Sequence, residues 1–163
     1  MHSLLAIWSV FICFTATNAF AINGASLWLD FEIGEKSYSI NGVLSNFEQA
    51  GNLCKGRNQQ LVAIESLDEN NNIMKELKKL VDVSTELWTS GSKQANSNKW
   101  IWSSTNEEIT DFDWGTGEPN NKDGVENCIV FYPNTDLYFE GSWADINCNL
   151  SVALPFCQKA SKN

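Results

Sequence analysis

Histidine sets the first limit on the chemistry open to this chain. His2 is the only histidine among 163 residues, and it stands at the head of an apolar leader. Ser–His and Cys–His catalysis and a histidine metal site are therefore excluded from the remainder of the chain. Oxygen donors are abundant instead. A polar stretch from Thr110 to Asn127 carries Glu118-Pro119-Asn120 and Glu126, and Trp143-Ala144-Asp145 lies beyond it. Loops of that length are uncommon and usually functional. With 11 Lys and Arg against 20 Asp and Glu, the net charge is −9. Such a surface repels phosphate backbones and anionic bilayers, so no nucleic acid partner and no membrane adsorption are expected. An acidic balance fits a calcium binder, because hard cations take carboxylate oxygens; ordinary solubility explains the same charge. The Glu107-Glu108 and Asp111/Asp113 clusters read as a solvated face. They would pass for a glycosidase pair, but nothing selects a partner for them.

These groups need a scaffold. The length suits one domain. Hydrophobic residues make up 43% and aromatics 12%, including seven Trp, which is enough for a core. Residues 1–21 read as a signal peptide: Leu4 to Phe14 supplies the apolar run, and Ala19-Phe20-Ala21 a small-x-small cleavage site. A membrane anchor would need about twenty apolar residues, and Ser9, Thr15, Thr17 and Asn18 interrupt the run. Residues 22–163 are then expected to be secreted. Cys13 leaves with the leader, and Cys54, Cys128, Cys148 and Cys157 remain. In an oxidising compartment they form two disulfides, with three connectivities open. Zinc is disfavoured, since no close Cys-x2-Cys pair occurs.

Residues 22–30 read as a lead-in, and Ser37 to Ile40 as a first strand after a turn at Gly34. Ser45 with Glu48, and Ser66 with Glu69, have capping-box spacing. Phe47, Ala50, Leu53 and Cys54 succeed the first box at helical steps, with Gly56 as a stop. Ile73, Leu77, Leu80 and Val81 succeed the second, predicting an amphipathic helix from about Ser66 to Val81 with Lys75, Lys78 and Lys79 on its wet side. Leu61 to Ile64 reads as a buried strand, and short apolar runs alternate with turns from 87 to 157. Helices first and strands afterwards predict an α+β fold. Trp88, Trp100, Trp102, Trp114 and Trp143 read as core rather than sugar-stacking platforms.

The order of these features resembles the C-type lectin family over nearly everything after the leader. The features that carry the resemblance are the capped helix with Cys54, Leu61-Val62-Ala63-Ile64 leading into Ser66 and Glu69, Leu87-Trp88-Thr89-Ser90-Gly91, Trp114 ahead of Glu118-Pro119-Asn120, Glu126, Trp143-Ala144-Asp145 and the four-cysteine ladder. The resemblance implies two helices flanking small antiparallel sheets, a long calcium-binding loop region, and disulfides Cys54–Cys157 and Cys128–Cys148. It also implies that Glu118, Asn120, Glu126 and Asp145 bind both Ca2+ and carbohydrate, with Pro119 cis. The Glu-Pro-Asn order goes in that family with mannose, fucose or GlcNAc, and Gln-Pro-Asp with galactose. The resemblance therefore implies a secreted, calcium-dependent, mannose-type lectin and not an enzyme, with microbial surfaces or glycoproteins as partners.

One departure from the family is Ala144, where Trp-Asn-Asp is usual. Glu118, Asn120, Glu126 and two groups of Asp145 would still supply five oxygens, and two sugar hydroxyls bring the total inside the range calcium accepts. Asn147 shares a strand face with Asp145 by period-two alternation and is a candidate to compensate. The alternative is a domain of the same fold that binds a protein partner without calcium or sugar. Oligomerisation is open, since no stalk is present to supply avidity. Asn149-Leu150-Ser151 is a glycosylation sequon.

Overall fold

The computed structural model describes residues 27–80, 86–133 and 142–160; the leader, 1–21, lies outside them. The described residues open with a hairpin, β1 (Trp28–Ile33) and β2 (Lys36–Asn41), turned at Gly34 with φ +59°. Residues 22–30, read as a lead-in, thus include the start of a strand. Leu29, Phe31 and Ile33 pack against the core, while Asp30 and Glu32 stay exposed. Helix α1 (Phe47–Lys55), strand β3 (Gln59–Leu61) and helix α2 (Leu67–Leu80) come next. Then come β4 (Leu87–Lys93), β5 (Trp100–Trp102), β6 (Glu107–Glu108), β7 (Cys128–Phe131), β8 (Trp143–Ile146) and β9 (Leu154–Lys159). The fold is α+β, as expected.

Both helix starts differ in detail from the spacing-based reading. The cap of α1 is Asn46, not Ser45: its Oδ1 accepts from the Gln49 amide at 2.9 Å, and Gln49 Oε1 accepts from the Asn46 amide at 3.2 Å. Ser45 is instead buried, its N–H donating to the Ala153 carbonyl. At α2, Ser66 Oγ accepts from the Glu69 amide at 3.1 Å. The Glu69 carboxylate turns to the Glu65 amide, Lys36 and the Tyr38 hydroxyl, so the second box is only half formed. Helix α2 buries Asn70, Ile73 and Leu77, whereas Leu80 is exposed and Val81 lies outside the described residues.

Strand β9 is the spine. It pairs antiparallel with β2 along one edge and with β3 along the other, and parallel with β4 through Leu87–Leu154 and Trp88–Pro155. The remaining ladders are antiparallel, running β4 to β5 and β6, and β4 to β7 and β8. The small antiparallel sheets are thus joined through one parallel contact. Gly91 in β4 is required by close approach, because a Cβ there would meet Ile129 of β7 at 2.6 Å.

Two apolar clusters flank this sheet. One gathers Tyr38, Ile73, Leu77, Trp102, Trp143 and Phe156, and the other Ala50, Cys54, Trp88, Val130, Ala144 and Cys157. Trp88, Trp100, Trp102 and Trp143 are buried, and Trp114 is half-buried, packing against Trp100 and Trp143. The disulfides are Cys54–Cys157 and Cys128–Cys148.

Arg57 grips Asp30 with both terminal nitrogens, at 2.8 and 3.1 Å, and its guanidinium lies 4.6 Å from the Trp28 ring centroid. The Arg57 bond, then that from Ser39, hold the Asp30 carboxyl below its ordinary value. A depressed carboxylate stabilises the fold above its unfolded pKa, and that contribution is lost as pH falls through the folded value. Asp30 is half in water, so the effect should stay below about 1 kcal/mol. Asp30→Asn is expected to flatten the acid limb of a urea-midpoint titration against pH.

Candidate functional site

By sequence, Asp113 belongs to a solvated face. The structure corrects this. Asp113 is half-buried, and its Oδ2 accepts from Asn70 Nδ2 at 2.7 Å, from the Ser142 amide at 3.1 Å and from the Ser142 hydroxyl at 2.5 Å. Asn70 Oδ1 accepts from the Trp143 indole N–H at 2.8 Å. The Asp113 carbonyl takes the Ser142 and Trp143 amides, both at 2.9 Å. This network fastens α2 and the start of the long loop to the head of β8. Glu107, Glu108 and Asp111 are exposed, as expected, and Glu108 pairs with Lys99. Asn70 is 2% exposed, so Asn70→Ala would strand the indole N–H of a buried Trp. A cost of roughly 2–4 kcal/mol is expected for the lost bonds and the orphaned donor, read as a lower urea midpoint with unchanged m.

From there the loop runs to Gly115, whose N–H donates to the Trp143 carbonyl at 2.8 Å, and the Glu118 amide donates to the Gly115 carbonyl at 2.9 Å. The Glu118–Pro119 bond is cis. Beyond it the backbone takes left-handed values at Asn121, Asp123 and Gly124, with φ +44°, +57° and +72°. Asn, Asp and Gly are the residues that adopt that region most readily. The short turn over Lys122–Gly124 is broken at Asp123, whose φ is not helical.

Asp145 anchors this turn from β8. It is 4% exposed, and its two carboxylate oxygens accept the main-chain N–H groups of Asn120 at 2.8 Å and Asn121 at 3.0 Å. Asn120 Nδ2 donates to Glu118 Oε1 at 2.8 Å. The Asn120 side-chain carbonyl oxygen is left as an acceptor, while Glu118 Oε2 is buried without a hydrogen-bond partner among the described residues. Burial first, and then the neighbouring Asp145 carboxyl, push Glu118 above the ordinary carboxylate value, with Asn120 opposing. Two acids thus converge at one place.

Glu126 is differently placed. Its Oε2 accepts from the Lys122 amide at 2.7 Å, and its own amide donates to Asn121 Oδ1 at 3.3 Å. It closes the turn rather than joining Glu118 and Asp145; among the described residues no three acidic, His or Cys side chains group as a metal cluster. Asn121 also belongs to this turn. It braces Glu126 and lends an N–H to Asp145. The Asn-Lys-Asp-Gly turn composition is the available signal. Ala144 stands between Trp143 and Asp145 on β8, opposite Val130, and is 6% exposed within the second apolar cluster. The strand alternation that links Asn147 to Asp145 by sequence does not reach it. Asn147 lies past the end of β8, and its Oδ1 accepts from the Asn149 amide at 3.0 Å.

A fit to Ca2+ can be judged from these donors. All are oxygens, one of them a buried acceptor with no partner among the described residues, and the two close carboxylates carry mutual repulsion that a cation relieves. Each carboxylate offers about four lone-pair sites, so the two amide bonds to Asp145 do not exhaust it. Glu118, Asn120 and Asp145 are donors of the chemistry that Ca2+ takes.

Comparison with known proteins adds an independent line. Residues 43–159 match the family model described as Lectin C-type domain. The chain is 32% identical over 123 residues to lectin subunit alpha of Sarcophaga peregrina, covering 72% of this chain and 42% of that protein. It is 34% identical over 133 residues to E-selectin of Equus caballus, covering 80% of this chain and 20% of that protein. It therefore spans less than half the length of these relatives. Among solved structures, the Ca2+-independent C-type lectin SPL-2 from Saxidomus purpuratus superposes with a TM-score of 0.66 at 20% identity, over 85% of this chain and 95% of that one.

Proposed function

The chain belongs to the C-type lectin domain family, and from that premise we propose that it is a secreted, calcium-dependent carbohydrate-binding lectin of mannose-type specificity, with no enzymatic role. The observation that carries this reading is the convergence of Glu118, Asn120 and Asp145, with Glu118 Oε2 buried and unpartnered among the described residues. Glu118, Asn120 and Asp145 would hold the ion, with Glu126 swinging from the Lys122 amide to join them. The ion supplies a point of attachment for vicinal sugar hydroxyls. The chain's own groups then set orientation: acid oxygens accept from the hydroxyls, and the Asn120 amide donates to them. Glycans bearing mannose, fucose or GlcNAc, on microbial surfaces or glycoproteins, are the proposed partners. Secretion rests on the leader read in residues 1–21.

A glycan array run with and without chelator tests this. Mannose-type glycans should be retained with calcium and lost without it. Retention of galactose and mannose alike would reject the specificity. Glu118→Gln combined with Asn120→Asp exchanges acid and amide across the site and is expected to shift elution from mannan toward galactose, with calcium dependence retained.

Ala144 favours a second reading. It offers no oxygen, and its side chain is committed to the apolar cluster beside Val130. A neutral hydrogen bond lost from a sugar costs about 1 kcal/mol, against only about −4 kcal/mol for millimolar binding. The fold would then bind a protein partner without calcium. Binding to a partner that survives chelator, with no glycan retained, would establish it.

A further inference from the structure

The turn beyond β8 carries a modification site. We propose that Asn149 is N-glycosylated and that the glycan covers an apolar patch beside it. This rests on the proposed entry into the secretory pathway and not on calcium or sugar binding.

Asn149-Leu150-Ser151 is the only Asn-x-Ser/Thr triplet in the 163 residues. It stands on a turn closed by the Leu150 amide on the Asn147 carbonyl at 3.1 Å, and Asn149, Leu150 and Ser151 are all exposed. Asn149 engages its neighbours through its main-chain N–H, which donates to Asn147 Oδ1. Among the described residues its side-chain amide takes no hydrogen bond, so modification breaks none. Surface turns are where such an amide is reachable.

The surroundings give the second observation. The Ser45 amide bonds to the Ala153 carbonyl at 3.0 Å, and the Phe47 amide to the Cys148 carbonyl at 3.0 Å. These bonds lay residues 43–47 alongside 148–153. Four large apolar side chains are exposed on the two segments: Val43 at 43%, Leu44 at 54%, Leu150 at 46% and Val152 at 39%. Scattered apolar residues are ordinary, but neighbouring ones form a liability on a soluble surface. A branched polar glycan anchored next to Leu150 lies across them and keeps a second molecule away. The transfer balances simply. The Asn149 side-chain nitrogen attacks the anomeric carbon of a lipid diphosphate-linked oligosaccharide. A C–N bond forms, the C–O bond to the diphosphate breaks, the amide gives up one proton, and the lipid diphosphate leaves.

The test is to secrete the full chain from eukaryotic cells and treat the purified protein with peptide N-glycosidase in H2(18)O. Asn149 should be recovered as labelled Asp, with a drop in apparent mass that Ser151→Ala and Asn149→Gln both lack. An unlabelled Asn149 in protein recovered from the medium overturns the proposal. Exchanging residues 1–21 for a foreign secretory leader separates a failed native leader from an unused sequon. Masking is read by sedimentation and by an apolar dye: Ser151→Ala should bind more dye and self-associate, and adding Leu44→Ser and Leu150→Ser should reverse both. If Ser151→Ala behaves as the glycosylated protein does, the glycan covers nothing and that half of the proposal is lost.

Discussion

Asp145→Ala is expected to abolish calcium and sugar binding together and to release the 118–126 loop from the sheet. Asp145 stands at two functions at once. Its carboxylate accepts the Asn120 and Asn121 amides at 2.8 and 3.0 Å, and it lies beside the Glu118 carboxyl. Hydrogen bonds to a charged group are worth about 1.5–3 kcal/mol each, so the loop should lose roughly 3–6 kcal/mol of local order. Loss of an outer partner of a metal ligand costs about 10–100-fold in affinity; loss of this direct ligand should exceed about 100-fold. The measurement is a calcium titration with and without mannose, with amide exchange at Asn120 and Asn121 read in parallel. Asp145→Asn separates the two roles. It keeps one acceptor for the loop while removing the charge, so exchange at one amide should stay slow while calcium is lost. Wild-type affinity for calcium in both variants would refute the proposed site and move the calcium-independent reading to the front.

The second large effect concerns Cys54–Cys157. This bond closes 103 residues and joins α1 to the central strand β9 inside an apolar cluster. In the chain-entropy model a loop of about 100 residues is worth roughly 4.7 kcal/mol, against about 3.3 for a 20-residue loop such as that closed by Cys128–Cys148. Replacing Cys54 and Cys157 together by Ala should therefore cost more than the same change at Cys128 and Cys148. At about 2–4 °C per kcal/mol for a chain of this size, the expected drop in Tm is about 10–18 °C. Scanning calorimetry of the two double variants decides it. The reverse order would mean that Cys54–Cys157 acts less through the unfolded chain than the loop-closure model requires.

Much of this molecule is legible residue by residue. Helix α1 is marked by Ala50 and Cys54 four positions apart, and α2 by Ile73 and Leu77 at the same step. The turn at Gly34 and the buried tryptophans are matters of residue type. The disulfide pairing is implied by family resemblance, whereas the cysteine count leaves three connectivities open. Spacing puts the cap of α1 one position early. Ser45 and Asn46 are equally competent, and only the docking of Ser45 against Ala153 selects between them. Leu80 has the right spacing to be buried but is 39% exposed.

Residue types and their local order are enough to specify the oxygen-rich donor set, the absence of histidine beyond the leader, the helical faces and the Glu118-Pro119-Asn120 loop. Which of those donors meet is settled by tertiary contacts. Asp145 reaches Asn120 and Asn121 across 25 and 24 residues, and Asp113 is drawn off the surface by Asn70, 43 residues earlier. Periodicity and capping act over three or four residues, and so they mark a chain locally. A carboxylate's partners are whatever donors the closed sheet brings within about 3 Å, and that depends on β8 pairing with β7 and on the loop folding back over both.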